Sequence, residues 1–184
     1  MTDKPEILAR ETVARSRLFE VEQVQLRFAN GREVTFEKLV SRGFGAVLVV
    51  PVTEAGNVLL VREYAAGLDR YDVSLPKGRL EQGEELLEAA NRELMEEVGV
   101  GAHRLERITG LTLAPGYLGH VTDVVLAREL YPQSLPGDEP EPPEVVEWPL
   151  DDLPGLLARD DCSEARTLAA LYIVRDLLNN EDAA

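Results

Sequence analysis

Cysteine occurs once in this chain, as Cys162, and histidine only twice. A single thiol excludes an intrachain disulfide and fits a reducing compartment. The chain's most acidic stretch has no cluster of thiols or imidazoles nearby, which argues against a dedicated zinc site. Basic residues are also scarce: 19 Lys and Arg stand against 34 Asp and Glu, a formal net charge of -15. Such a surface repels nucleic-acid backbones and anionic membranes, so neither is an expected partner. A small anionic substrate would need local arginines or bound cations. No segment approaches the roughly 20 apolar residues of a membrane span. The opening MTDKPEILARET has no apolar run and does not read as a signal peptide. The expected location is the cytoplasm.

What is present suffices for one globular core with a small extension: 184 residues, 45% of them apolar. Alternation on both sides of Asn30-Gly31 predicts a hairpin, with strands at about 19–28 and 33–40. GAVLVVPV (45–52) and NVLLVREYA (57–65) read as central strands of a mixed sheet. Two more strands are expected around Pro115-Gly116, and a late one at EVVEWPL. CSEARTLAALYIVRDLLNN supplies a terminal helix with a broad apolar stripe. The simplest partition is an N-terminal β subdomain, residues 1–43, followed by an α+β core, residues 44–184. A sheet that small needs to pack on the core or on a second chain, so a dimer is expected.

GRLEQGEELLEAANRELMEEVG runs from Gly78 to Gly99, and its helical part carries six glutamates. At about 100° per residue, Leu87, Ala90, Leu94 and Val98 form one apolar stripe. Glu93 and Glu97 stand one turn apart, and Glu96 lies on the adjoining arc. A like-charge pair at that spacing costs ~0.2–0.5 kcal/mol in an isolated helix. Glu96 and Glu97 also face the unfavourable end of the helix dipole. A solvated acidic face would satisfy the same pattern. The turn-rich LPKGRLEQGE before the helix favours a different reading, in which main-chain carbonyls and carboxylates surround a hard divalent cation.

Gly78, Glu84, Arg92, Glu93, Leu94, Glu96, Glu97, Gly99 and Val100 match every fixed position of the 23-residue box that marks Nudix hydrolases. ETVARSRLFEVEQVQLRFANG, LYPQSLPGDEPEP and EAR…AALYIVRDLL extend the likeness over nearly the whole chain, toward the bacterial ADP compounds hydrolase branch. The resemblance implies an α/β fold: an α/β/α sandwich around a mixed sheet, with a small N-terminal antiparallel sheet used in dimerisation. It implies an enzyme that hydrolyses the pyrophosphate bond of ADP-ribose, diadenosine triphosphate or NADH and releases AMP. Two or three Mg²⁺ or Mn²⁺ ions per site are expected, with an adenine nucleotide as substrate and a homodimer as the assembly. A nucleotide-sugar or other dinucleotide hydrolase is the alternative, followed by a non-catalytic ADP-ribose-binding module.

Carried over position by position, Glu93 and Glu97 are the principal metal carboxylates. Glu96 contacts a second metal or the water, and the Lys77 carbonyl is a further ligand. Arg92 orients the glutamates, and Gly99 ends the helix in a left-handed conformation. The general base comes from an acidic loop, which GDEPEP resembles; Glu141 is the first candidate, Glu139 the second. Arg42, Arg62 and Arg70 are candidate phosphate or ribose contacts. Phe19, Phe28 and Tyr64 are candidate stacking residues. Ala65 stands where many ADP-ribose enzymes carry an arginine, and His120 where a family variant carries a glutamate.

Overall fold

The computed structural model describes residues 3–41, 43–137 and 140–182. The chain divides into two compact units, residues 1–42 with 112–120, and residues 43–111 with 121–184.

The first unit is a three-stranded antiparallel sheet in the order β1 (Glu6–Arg15), β2 (Glu20–Arg27), β3 (Glu33–Leu39). The β2–β3 hairpin turns where the sequence predicts. Gly31 has φ +80°, its N–H donates to the Phe28 carbonyl at 2.8 Å, and the Asn30 side chain accepts from the Arg32 N–H at 3.0 Å. Strand β1 is an addition to the expected pair. Its residues are almost all exposed, so it carries no burial-driven alternation. Cross-strand ion pairs stitch the sheet, including Arg15–Glu20 at 3.0 Å and Lys38–Glu22 at 3.0 Å. Their cationic partners are exposed, and surface pairs of this kind contribute little. Among the unit's described residues only Val24 is a buried hydrophobic.

The second unit holds β4 (Ala46–Pro51), β5 (Asn57–Ala65), β6 (Arg70–Ser74), β7 (Lys77–Arg79), α1 (Leu86–Glu97), β8 (Val100–Thr112), β9 (Val121–Pro132), β10 (Glu144–Pro149), α2 (Leu153–Leu157) and α3 (Ala165–Asp182). A mixed sheet runs β7-β4-β9-β8, with β4 and β9 parallel. A second, antiparallel sheet runs β10-β5-β6. The two segments expected as central strands of a mixed sheet thus sit in two different sheets, joined by a bridge between Val52 and Val58.

Strand β4 shows why helices cover both faces. It is buried throughout, and successive side chains point opposite ways. Val47 and Val49 join Ala89, Ala90 and Leu94 of α1 in one apolar cluster. Leu48 and Val50 join Leu153 and Leu156 of α2 and Leu171 and Val174 of α3 in the other. The result is an α/β architecture with a mixed sheet between helices, plus the small antiparallel sheet of the first unit. Each fully buried Leu or Val contributes about 1.5–3 kcal/mol. Cys162 lies in the second cluster, and burial pushes its thiol up to about 11, which removes it from thiolate chemistry.

Candidate active site

The sequence pattern predicts a helix over 84–98; the glutamate helix begins at Leu86, two residues later. Glu85 caps it, and its backbone N–H donates to the Glu88 carboxylate at 3.4 Å within a reciprocal capping box. Its end falls as expected. Gly99 takes φ +76° and donates its N–H to the Leu94 carbonyl at 3.0 Å.

The buried face differs from the expected stripe. Leu87 is 39% exposed, whereas Ala89, Ala90, Glu93, Leu94 and Glu97 are buried. Glu93 and Glu97 are each only 7% exposed. They do not flank the inward face; they are part of it. Two nearly buried carboxylates on a core-facing helix are costly unless positive charge or N–H donors meet them.

Three features meet them. The Glu93 carboxylate packs directly on the Cα of Gly78, in space that any Cβ at that position would fill. Glycine is therefore required at 78 by close approach, not by an unusual φ. The Lys77 backbone N–H donates to Glu97 Oε2 at 3.1 Å. Arg92 donates from Nη1 to Glu93 at 2.9 Å and to Glu96 at 2.8 Å, and grips Glu84 from Nε at 2.8 Å and Nη2 at 3.1 Å. Its Nη2 also donates to the Arg79 carbonyl at 2.9 Å, tying helix to strand. Arg92 is therefore an orienting residue, as expected, with Glu84 as its anchor. The Lys77 ammonium is engaged by Glu63 and by Ser74 Oγ.

These contacts set opposite electrostatics at the two ends of the glutamate segment. Burial pushes Glu97 up to about 8, and the charges of Glu63 and Glu93 add to that against the lowering effect of Lys77. The Arg92 hydrogen bond instead holds Glu84 below the ordinary carboxylate range. Among the described residues, no group of three or more His, Cys, Asp or Glu is already gathered as a ligand cluster. The Arg92 guanidinium occupies oxygens of Glu84, Glu93 and Glu96. The donor set still fits a hard divalent cation: oxygens only, with two carboxylates nearly buried and one of them raised well above the ordinary carboxylate range by that burial.

Lys77, Gly78, Glu93, Glu96 and Glu97 line a cavity of about 520 Å³. An adjoining one of about 290 Å³ is lined by the three glutamates, Leu135, Pro136, Pro142 and Pro143. Pro142 and Pro143 also border a cleft of about 700 Å³ that contains Arg62, Glu63, Tyr64, Tyr71, Glu141 and Glu144. The carboxylate cavities and this cleft adjoin at Pro142 and Pro143, and together they form a trough. The Leu135 N–H, bonded to the Met95 carbonyl at 2.9 Å, pins the trough's wall to α1.

Lys77, Glu93, Glu96 and Glu97 are brought together. Arg62 and Glu141 lie at the far end, where Arg62 pairs with Glu144 at 3.3 Å and Asp161 at 3.6 Å. Arg70 is taken up by Asp72 at 2.7 Å and Ser163 at 2.8 Å, away from the trough's lining. Tyr64 lines the cleft, and its hydroxyl donates to Asp69 at 2.5 Å. Phe28 belongs to the first unit, beside Asn30, Arg32, Val34 and Phe36. Phe19 and His120 are in that unit as well. Arg42 and Glu139 lie outside the described residues. Tyr71 and Glu63 went unnoticed in the sequence; the register of β5 and β6 sets Tyr71 opposite Tyr64 and Glu63 opposite Asp72, a pairing that no local pattern carries.

Comparison with known proteins agrees with this geometry. Residues 5–38 match the NudE-type Nudix hydrolase N-terminal domain, and residues 44–171 match the NUDIX domain. ADP compounds hydrolase NudE of Escherichia coli (strain K12) is 46% identical over 178 residues, covering 97% of this chain and 95% of that protein. ADP-ribose pyrophosphatase of Bacillus subtilis (strain 168) is 34% identical, covering 91% of this chain and 94% of that one. A crystal structure of ADP compounds hydrolase superposes with a TM-score of 0.92 at 45% identity, covering 98% of this chain and 97% of the other. With its carboxylate helix packed on Gly78 and both family models matched in order, the chain belongs to the Nudix hydrolase family.

Proposed function

We propose that the protein hydrolyses the pyrophosphate bond of ADP-containing compounds and releases AMP. ADP-ribose would yield AMP and ribose 5-phosphate. The observation that carries this reading is the buried pair Glu93 and Glu97, set against Gly78 beside a cleft of about 700 Å³. The names of the two curated relatives, an ADP compounds hydrolase and an ADP-ribose pyrophosphatase, support the same substrate class.

Glu93, Glu97, Glu96 and the Lys77 carbonyl would hold Mg²⁺ or Mn²⁺, two or three ions per site. When bound, such ions polarise phosphoryl oxygens and acidify water. The chain's own residues do the rest. Gly78 lets the Glu93 carboxylate sit against the strand, and Arg92 fixes the outer carboxylates. Arg62, and Arg42 with it, would contact phosphate or ribose, and Phe28 would stack on adenine. Glu141 is the proposed general base, with Glu139 and Glu96 behind it. A base on irregular chain, brought to the site only when substrate is bound, has precedent in enzyme chemistry.

The assembly proposed is a homodimer. A sheet with one buried hydrophobic and exposed Phe19, Phe28 and Phe36 is a surface that a second copy would cover. The proposed location is the cytoplasm. No described helix is long and apolar enough to cross a membrane.

The test is initial rate against ADP-ribose, NADH, diadenosine triphosphate and a nucleotide sugar, with Mg²⁺, Mn²⁺ or EDTA. AMP release from the adenine compounds, abolished by EDTA, is the expected result. Turnover of the nucleotide sugar alone would replace this substrate class with another. Binding of ADP-ribose without turnover would make the protein a binding module.

A further inference from the structure

Glu141 is held, and what holds it is a rigid group. The Tyr71 hydroxyl donates to the Glu141 carboxylate. Tyr71 lies on β6 directly opposite Tyr64 on β5, and the two rings meet edge to face at 5.6 Å. The Arg62 guanidinium covers the Tyr71 ring at 4.9 Å and is itself anchored by Glu144 and Asp161. Sheet register, a ring and a cation thus fix the phenol. Glu141, by contrast, sits in a Pro-Glu-Pro-Pro run outside regular structure. When a fixed donor meets a carboxylate with no such support, the donor decides where the carboxylate rests. That resting place lines the 700 Å³ cleft and neither of the cavities lined by Glu93, Glu96 and Glu97.

We infer that Tyr71 is a positioning residue that parks Glu141 away from the three helix glutamates. Like-charge repulsion favours this arrangement, because a fourth carboxylate among Glu93, Glu96 and Glu97 would add to a charge that is already poorly compensated. The reading rests on Glu141 as the proposed base. It adds the residue that governs how often that base is free to act.

Two measurements test it. The first needs neither metal nor substrate. Glu141, Arg62 and Tyr64 face the Tyr71 phenol, and the Glu141 hydrogen bond holds it above the ordinary tyrosine range. Ultraviolet titration of the whole protein, with Tyr71→Phe identifying the signal, should show the Tyr71 phenol ionising at lower pH in Glu141→Gln than in the wild type. An unchanged Tyr71 titration would overturn the contact. The second is a kinetic cycle. Tyr71→Phe keeps the ring and removes the donor, so kcat should rise roughly fivefold, the value of one ordinary hydrogen bond. The same change in the Glu141→Gln background should do nothing. An equal effect in both backgrounds, or a fall in kcat in the wild type, would overturn the positioning role. A wild-type rate for Glu141→Gln with the titration difference intact would overturn the base assignment alone.

Discussion

Helix α1 and the chain at 140–144 both present glutamates to one trough, and they hold them in opposite ways. On α1, Glu93 and Glu97 are nearly buried, and a glycine, a backbone N–H and a forked arginine fix their surroundings. At 140–144, Glu141 and Glu144 are exposed and rest on contacts to Tyr71 and Arg62. The first arrangement stores unfavourable electrostatics in a rigid place; the second keeps a carboxylate near that place without committing it. Rigid charge suits a group that must be in position before substrate arrives. Loosely held charge suits a group that must move.

On this contrast, changes on the helix side should have the larger effects. Gly78→Ala should be the most severe. A methyl group there occupies the space of the Glu93 carboxylate, and displacing a reacting-site group by about 1 Å costs roughly a hundredfold in rate. Arg92→Ala comes next. It strips the cation from Glu84, Glu93 and Glu96 and should lower stability by about 1–3 kcal/mol in chemical denaturation. Lysine at 92 should not restore the loss, because it lacks the fork that spans those oxygens.

The third prediction concerns pH. Glu97 is raised to about 8 in the folded protein, so between its unfolded value and 8 the folded state binds more protons than the unfolded. Stability of the metal-free protein should therefore fall as pH rises from about 4.5 to about 8, by an amount on the order of a few kcal/mol. Glu97→Gln should flatten that part of the curve measured in EDTA. A Glu97→Gln curve as steep as the wild type would mean that the buried carboxylate is not the cause. The smallest effect is expected on the other side of the comparison. Glu144→Gln breaks an exposed pair with Arg62 and should change stability by no more than about 0.5 kcal/mol.

The same contrast explains what the sequence made legible. The spacing of Gly78, Glu93 and Glu97 is local and rigid, so the helix and the family box it carries could be read from it. The depth of those carboxylates could not. Hydrophobic periodicity selected Leu87 for the inward face and excluded Glu93 and Glu97, because it cannot represent a face that is charged on purpose. Strand β1 escaped notice because its side chains are nearly all exposed. Helix α2, five residues from an Asp152 cap, is too short to show a period. That β4 and β5 belong to different sheets follows from the pairing of β4 with β9, more than 70 residues away, which no local pattern carries. Tyr71 and Glu141 are 70 positions apart and share no motif; only the fold brings the phenol to the carboxylate.

The most direct test of the central claim, that the inward-facing glutamates of α1 carry the chemistry, is the rate of AMP release from ADP-ribose by Glu97→Gln at saturating Mg²⁺, with folding verified by circular dichroism. A fall of roughly a hundredfold or more with the fold intact is the predicted result. A folded Glu97→Gln protein that releases AMP at the wild-type rate would contradict the account and move the chemistry elsewhere in the trough.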